Sequence, residues 1–138
     1  MTNLRIIELK IKAVKQYLAI LNKYRKYSQK KITADDTLRG AVERYLYLAV
    51  QAFLDLAEAV IAYKKIGTPE TYQELFEILK NAKLIKKDLA EKLKKMAGFR
   101  NILAHDYAKI DYDLVYIFLK DGLIDIKQFI NVIQKKIY

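Results

Sequence analysis

The sequence predicts an all-α protein, an up-and-down helical bundle of five or six helices that forms a single domain over residues 1–138. Three observations support this prediction. A chain of 138 residues has the usual length of one domain and can bury a sizeable core. It contains only four Gly and one Pro, too few for the many tight turns of a sandwich or barrel of short strands. Apolar residues recur every three or four positions along most of the chain, which is the period of an amphipathic helix.

The first helix is predicted to run from near the N-terminus to about Tyr27. Six apolar residues share one stripe of it: Leu4, Ile7, Ile11, Val14, Leu18 and Leu21. The polar segment SQKKITADD follows and separates this helix from the next. Within it, Thr33, Asp35 or Asp36 could accept the free N–H groups at the start of a new helix.

The second helix is predicted from about Asp36 to Lys65, and it carries two apolar stripes. The first stripe recurs at steps of three and four residues and comprises Val42, Leu46, Ala49, Phe53, Leu56, Val60 and Tyr63. The second stripe lies on a different side and comprises Val50, Leu54, Ala57 and Ile61. One stripe can pack on the protein's own core, which leaves the other to be covered by further helices or by a partner subunit.

The segment Gly67-Thr68-Pro69 is the clearest helix breaker, because Gly suits the end of one helix and Pro the start of the next. A short third helix is then predicted around Tyr72, Leu75, Phe76 and Leu79. Residues 81–87 are predicted to form a connection. A fourth helix should follow, with Asp88 near its start and with the apolar residues Leu89, Leu93, Met96 and Ala97.

Two further helical segments are predicted towards the C-terminus. Asp111 can cap the first, which should run from Tyr112 to Leu119 and end at Asp121-Gly122. The last amphipathic helix is marked by Leu123, Ile126, Ile130, Ile133 and Ile137.

Composition narrows the classes of function. With no Cys and one His, the chain offers few ligands for a zinc site, and we expect neither a metal nor a bound cofactor. Charged residues interrupt the N-terminal apolar pattern, and no stretch reaches about 18 consecutive apolar residues, so we expect a cytoplasmic protein with no membrane contact. The net charge of +10 would attract polyanions such as RNA or an acidic partner, although a Lys-rich proteome would produce the same charge.

Four residues whose side chains together suggest phosphate chemistry lie close together after the fourth helix: Arg100, Asn101, His105 and Tyr107. A guanidinium matches phosphate oxygens, and an imidazole can carry a proton near neutral pH. On an ideal helix, Arg100 and His105 would lie about 140° apart. A shared site therefore requires a break in the helix between them or two subunits that each contribute one set. The spacing alone favours a different explanation, a capping or hydrogen-bonded structural His beside an ordinary surface Arg.

The segment GFRNILAHDY, residues 98–107, resembles the signature of the HEPN superfamily, in which an Arg and a polar residue precede a His. With the Tyr two positions after the His, the segment also resembles the more particular pattern of HepT-like toxins, which is Arg, four residues, His, any residue and Tyr. The order of RYLYLAVQAFLDLAEAVIA, TYQELFEIL and this motif extends the resemblance over nearly the whole chain.

The resemblance implies a toxin that is a homodimeric, metal-independent endoribonuclease, with Arg and His of both subunits lining one cleft. His105 would be the general base, Arg100 would stabilise the phosphorane and Asn101 would help to position the phosphate. The substrate would be RNA, such as tRNA or mRNA. The resemblance also implies a nucleotidyltransferase antitoxin, MntA, which uses ATP to AMPylate Tyr107. The second stripe of the long helix is then a candidate dimer surface.

Two other classes of function stay open on the sequence. One is a non-catalytic basic helical module of the same fold that binds nucleic acid or a protein partner. The other is a plain structural bundle, in which Tyr107 would be a packing residue.

Overall fold

A computed structural model describes residues 3–105 and 107–138, and within these ranges all regular structure is helical. The predicted all-α bundle is therefore confirmed. The α-helices are α1 (Asn3–Asn22), α2 (Gln29–Ala34), α3 (Asp36–Lys64), α4 (Tyr72–Asn81), α5 (Lys87–Gly98), α6 (Arg100–His105), α7 (Tyr112–Ile117) and α8 (Leu123–Ile137). A 3₁₀ turn at Tyr107–Lys109 precedes α7, and a π-helical turn at Phe118–Gly122 joins α7 to α8.

The first connection differs from its prediction. Helix α1 ends at Asn22, five residues before Tyr27, because the chain tightens into turns whose N–H groups bond three residues back, such as Tyr24 N to Leu21 O at 2.9 Å. The polar segment that follows contains a helix of its own, α2, whose start is capped by the Ser28 hydroxyl. Of the three predicted caps for the long helix, Asp35 is the one used: its carboxylate accepts from Leu38 N at 3.0 Å.

Helix α3 is the central element of the bundle, and helices α1, α2, α4, α5 and α6 all contact it. Its length and composition would suffice for a membrane span, with a mean hydropathy of 1.5 over 18 residues, but 56% of that window is buried inside the protein. A core helix surrounded by other helices meets the same criterion.

The second apolar stripe of α3 is covered by the chain itself. Its four residues are at most 2% exposed: Val50, Leu54, Ala57 and Ile61. The prediction that this stripe forms a dimer surface is therefore wrong. The physical reason is that α3 is surrounded on several sides, so a second stripe faces further helices of the same subunit.

Aromatic side chains join three helices at the centre of the core. The rings of Phe53 on α3 and Phe76 on α4 lie 5.7 Å apart, and Phe76 lies 5.9 Å from Phe129 on α8. All three side chains are fully buried. Pairs in tilted or edge arrangements at this separation add about 0.5–1.5 kcal/mol to what burial alone provides. This cluster links α3 to α4 and, through Phe76, to α8.

The breaker after α3 lies where it was predicted, but other residues make the caps. Lys65, with φ of 55°, ends α3, and the Thr71 hydroxyl caps α4 by accepting from Glu74 N at 3.2 Å. Gly67 serves close packing, because a Cβ there would lie 3.1 Å from the Ile78 side chain.

Towards the C-terminus, one predicted cap is confirmed and one predicted end is wrong. The Asp111 carboxylate accepts from the backbone N–H groups of Asp113 and Leu114 and so starts α7. Gly122 does not end a helix, since its φ of −61° and ψ of −34° are helical and the chain continues into α8. This glycine allows close packing instead, because a Cβ would lie 2.9 Å from the Met96 sulfur.

Candidate functional site

The candidate site lies where the short helix α6 crosses a polar stripe on α3. Arg100 is the first residue of α6 and is half-buried. Its Nε donates to Gln51 Oε1 at 2.8 Å, and one terminal nitrogen donates to Asn101 Oδ1 at 2.8 Å. The other terminal nitrogen lies 3.4 Å from the hydroxyl of Tyr47. Two of these partners belong to α3, so the guanidinium is fixed by a helix that the core holds in place.

Two tyrosine rings flank the same guanidinium. The centroids of the Tyr47 and Tyr72 rings each lie 5.5 Å from the central carbon of Arg100. At this distance the electron-rich face of a ring attracts a cation. The rings restrict the guanidinium further and leave its remaining N–H groups available to an anion.

A cavity of about 360 Å³ opens beside this arrangement, between the first half of α3 and the end of α6. Its lining brings together a carboxylate, a guanidinium, a phenol and the imidazole of the candidate base. The lining residues are Gly40, Glu43, Arg44, Tyr47, Leu103, Ala104 and His105. His105 is exposed at the last position of α6, so its ring is accessible to a large substrate. Tyr47 belongs both to this lining and to the surroundings of Arg100, which makes the two parts one continuous region.

Arg100 and His105 lie at the two ends of one short helix. Helix α6 runs from Arg100 to His105, so no break in the helix separates the two residues. Of the two ways to bring them to one phosphate, a break between them is therefore not what this chain uses. The other way, contributions from two subunits, stays a prediction.

Asn101 and Tyr107 are the two remaining predicted site residues. Asn101 is exposed, and its amide oxygen is occupied by the Arg100 guanidinium. The backbone of Tyr107 begins the 3₁₀ turn two residues after His105. The side chain of Tyr107 lies outside the described part of the structure, so its predicted modification stays a prediction.

Glu43 is held in the cavity wall by a second tyrosine. The Tyr112 hydroxyl donates to Glu43 Oε1 at 2.7 Å, which ties the start of α7 to α3. Burial raises the pKa of Tyr112, and the hydrogen bond and negative charge of Glu43 raise it further. The phenol is therefore a persistent donor that orients the carboxylate.

Donor sets for a metal are not evident in the described residues. Across residues 3–105 and 107–138, no group of three or more His, Cys, Asp or Glu side chains is arranged to hold a metal ion.

Comparison with known proteins shows the family. Residues 14–133 match the sequence model of a family described as ribonuclease HepT-like. The chain belongs to this family. The predicted family and the predicted enzyme class, a ribonuclease, are both confirmed.

Three relatives illustrate the similarity of this HepT-like chain. It is 35% identical over 100 residues to an mRNA nuclease HepT of Shewanella oneidensis, a match that covers 72% of the chain and 75% of the relative. It is 29% identical over 125 residues to a tRNA nuclease HepT of Aphanizomenon flos-aquae, covering 89% and 85%. A solved structure of a tri-AMPylated Shewanella oneidensis HEPN toxin in complex with MNT antitoxin superimposes with a TM-score of 0.85 at 31% identity, covering 94% and 97%.

Sequence reasoning missed the part of this HepT-like site that α3 provides. The polar residues of α3 on this side recur at steps of three and four, the spacing of a stripe along a helix: Arg44, Tyr47, Gln51 and Asp55. A polar stripe on the most apolar helix of a protein is a signal that could have been found. Tyr72 gave no such signal, because it looks like one more apolar residue of α4.

Proposed function

We propose that this chain is the toxin of a toxin–antitoxin pair, a metal-independent endoribonuclease that uses Arg100 and His105 and acts on tRNA or mRNA in the cytoplasm. The observation that supports it most is the Arg100 guanidinium, held by Gln51, Asn101 and Tyr47 next to a cavity that His105 lines. A net charge of +10 favours the approach of RNA.

The chemistry follows from the two side chains. Neutral His105 takes the proton of a ribose 2′-OH, whose oxygen attacks the adjacent phosphorus. The bond to the 5′ oxygen then breaks, and that oxygen takes up a proton as it leaves. The products are a 2′,3′-cyclic phosphate and a 5′-hydroxyl end. General base catalysis of this kind contributes roughly 10²–10⁴-fold to the rate. The remaining N–H groups of Arg100 stabilise the charge that grows on the phosphorane oxygens.

The proposed active form is a homodimer in which both subunits contribute Arg and His to one cleft. Support comes from the regular helix α6, on which the two residues would lie about 140° apart in ideal geometry. A second copy of α6 would supply the missing partner. It would also supply a second imidazole, to serve as the acid for the leaving oxygen.

The test compares the wild-type chain with His105→Ala and with Gln128→Ala, an exposed position on α8, on tRNA and mRNA in excess EDTA. We expect wild type and Gln128→Ala to cleave and His105→Ala to lose at least about a hundredfold in rate. A 2′-deoxy nucleotide at the cleaved position should block the reaction, because it lacks the attacking hydroxyl. Equal cleavage by all three proteins would contradict the proposal. RNA binding without cleavage by all three would favour the non-catalytic binding module.

We further propose that a nucleotidyltransferase antitoxin silences the enzyme by transferring AMP from ATP to Tyr107. The related Shewanella toxin carries three AMP groups in complex with MNT antitoxin, and Tyr107 lies two residues from His105. Each AMP would add bulk and negative charge two residues along the chain from His105, which should repel RNA.

The modification can be mapped directly. After incubation with ATP and an MNT-type nucleotidyltransferase antitoxin, mass spectrometry should find AMP on the peptide that contains Tyr107 in wild type and no AMP on Tyr107→Phe. AMP confined to another residue would contradict the assignment.

A further inference from the structure

The Arg100 guanidinium bonds to the neutral amide of Gln51, although a carboxylate would make the stronger bond. Gln51 is half-buried on α3, and its oxygen accepts from Arg100 Nε at 2.8 Å. A carboxylate in place of the Gln51 amide would also hold the guanidinium, but it would cancel much of the positive charge of that group. A neutral acceptor fixes the direction of the side chain and leaves that charge available to a phosphate.

Asp55, one turn further along α3, decides which end of the amide faces Arg100. Gln51 Nε2 donates to Asp55 Oδ1 at 2.9 Å. An ionised carboxylate only accepts hydrogen bonds, so it orients the amide nitrogen towards itself. The amide oxygen must then point to Arg100, whose nitrogens only donate. Because one end of the amide is fixed by Asp55, a flip that would present N–H to the guanidinium is opposed.

The other contacts of Arg100 are also made with uncharged groups. Asn101 accepts through a neutral amide oxygen, and the rings of Tyr47 and Tyr72 are uncharged. Among the described residues, no ion pair between Arg100 and a carboxylate lies within 4.0 Å. The guanidinium is thus held on several sides by groups that restrain it and do not neutralise it.

We propose that Gln51, oriented by Asp55, is a positioning residue that holds Arg100 in place for a scissile phosphate while preserving its full charge. This inference rests on the proposed ribonuclease function. It adds a role for a residue outside the motif and a reason why that residue is Gln.

The decisive variant is Gln51→Glu, because it should lower activity without a matching loss of stability. The introduced carboxylate can pair with Arg100, but it also replaces the N–H group that Asp55 accepts with a like charge. We expect these two effects to offset, so that the melting temperature stays close to that of wild type. We expect kcat for RNA cleavage to fall by about tenfold or more, which corresponds to about 1.4 kcal/mol. Gln128→Glu makes the same change of charge at an exposed site on α8 and should leave kcat unchanged.

Gln51→Met is the second variant, since it keeps the length of the side chain and removes the acceptor. We expect a smaller fall in kcat, about threefold, with a lower melting temperature. A purely structural role predicts that activity follows the melting temperature, with Met the worse variant. That order, or wild-type kcat in Gln51→Glu, would overturn the inference. Arg100→Ala, assayed alongside, separates the two proposals: full activity in that variant rejects the ribonuclease mechanism itself, whereas an inactive Arg100→Ala beside a fully active Gln51→Glu rejects only the role of Gln51.

Discussion

The two faces of α3 differ in burial and in polarity. On the core face, side chains such as Leu46, Phe53 and Val60 are completely buried, and Phe53 joins the aromatic cluster. On the face under α6, Tyr47 and Gln51 are only half-buried and carry hydrogen bonds to Arg100. Burial of the first face immobilises the helix, so the second face presents its polar groups in fixed positions. A site built on a rigid helix positions its groups more accurately than one built on loops.

The comparison also predicts where mutations will act. Removing a fully buried side chain leaves a cavity and costs several kcal/mol of stability. A half-exposed hydrogen bond contributes about 0.5–1.5 kcal/mol. Changes on the core face should therefore lower stability most, and changes on the polar face should lower activity most.

Phe53→Ala should have the largest effect on stability. It removes a ring that packs on Phe76, and we expect a loss of about 3–5 kcal/mol in the free energy of unfolding, measured by urea denaturation. The matched control is Tyr47→Ala, an aromatic residue about two turns away on the other face, which should lose less. A loss below about 1 kcal/mol at Phe53 would show that the core can collapse around the cavity.

Tyr47→Ala tests the polar face of α3 and should lower activity. It removes one ring beside the Arg100 guanidinium, and a cation–π contact of about 0.5–2 kcal/mol corresponds to roughly a 2- to 30-fold slower cleavage of RNA. Tyr47→Phe keeps the ring and removes only the weak contact at 3.4 Å, so it should stay within about twofold of wild type. If both variants lost activity equally, the hydroxyl would matter and the ring would not.

Tyr112→Phe should cost about 1 kcal/mol of stability by deleting the bond to Glu43. The pKa of Tyr112 is raised in the folded protein, so its contribution is fully present below the unfolded pKa of 10.0 and is lost as pH rises through the higher folded value. The difference from wild type in thermal unfolding should thus shrink at alkaline pH. The matched control is Tyr17→Phe, which should melt like wild type at neutral pH, because the hydroxyl it deletes makes no hydrogen bond in the described structure.

Glu77→Gln should have the smallest effect. Glu77 accepts from Lys80 at 2.6 Å and from Lys94 of α5, and these bonds lower its pKa from 4.5 to about 2. Its stabilisation is present above the unfolded pKa and is lost as pH falls through about 2. The variant should melt slightly below wild type at pH 7, by a margin that closes towards pH 2. A margin that does not change with pH would mean that the ion pairs contribute nothing.

Local signals accounted for most of the helices and for the chemistry of the motif. Asp111 was predicted as a cap, and Asp35 was one of three candidates for another, because a short polar side chain before an apolar period satisfies free N–H groups. The same reasoning misread Gly122, since a glycine that ends a helix and one that lets another side chain approach look alike along a chain. Arg100 and His105 could be named from the sequence, although their surroundings could not.

Periodicity, capping and side-chain chemistry depend on near neighbours, so the order of residues is enough to predict that the chain is helical, where its long helices run and which residues carry titratable or phosphate-binding groups. Tertiary packing covers the second stripe of α3 within one subunit and brings Gln51 and Tyr47 to Arg100. These partners lie 49 and 53 residues from Arg100 along the chain, so their meeting depends on how α6 packs across α3, which no local pattern encodes.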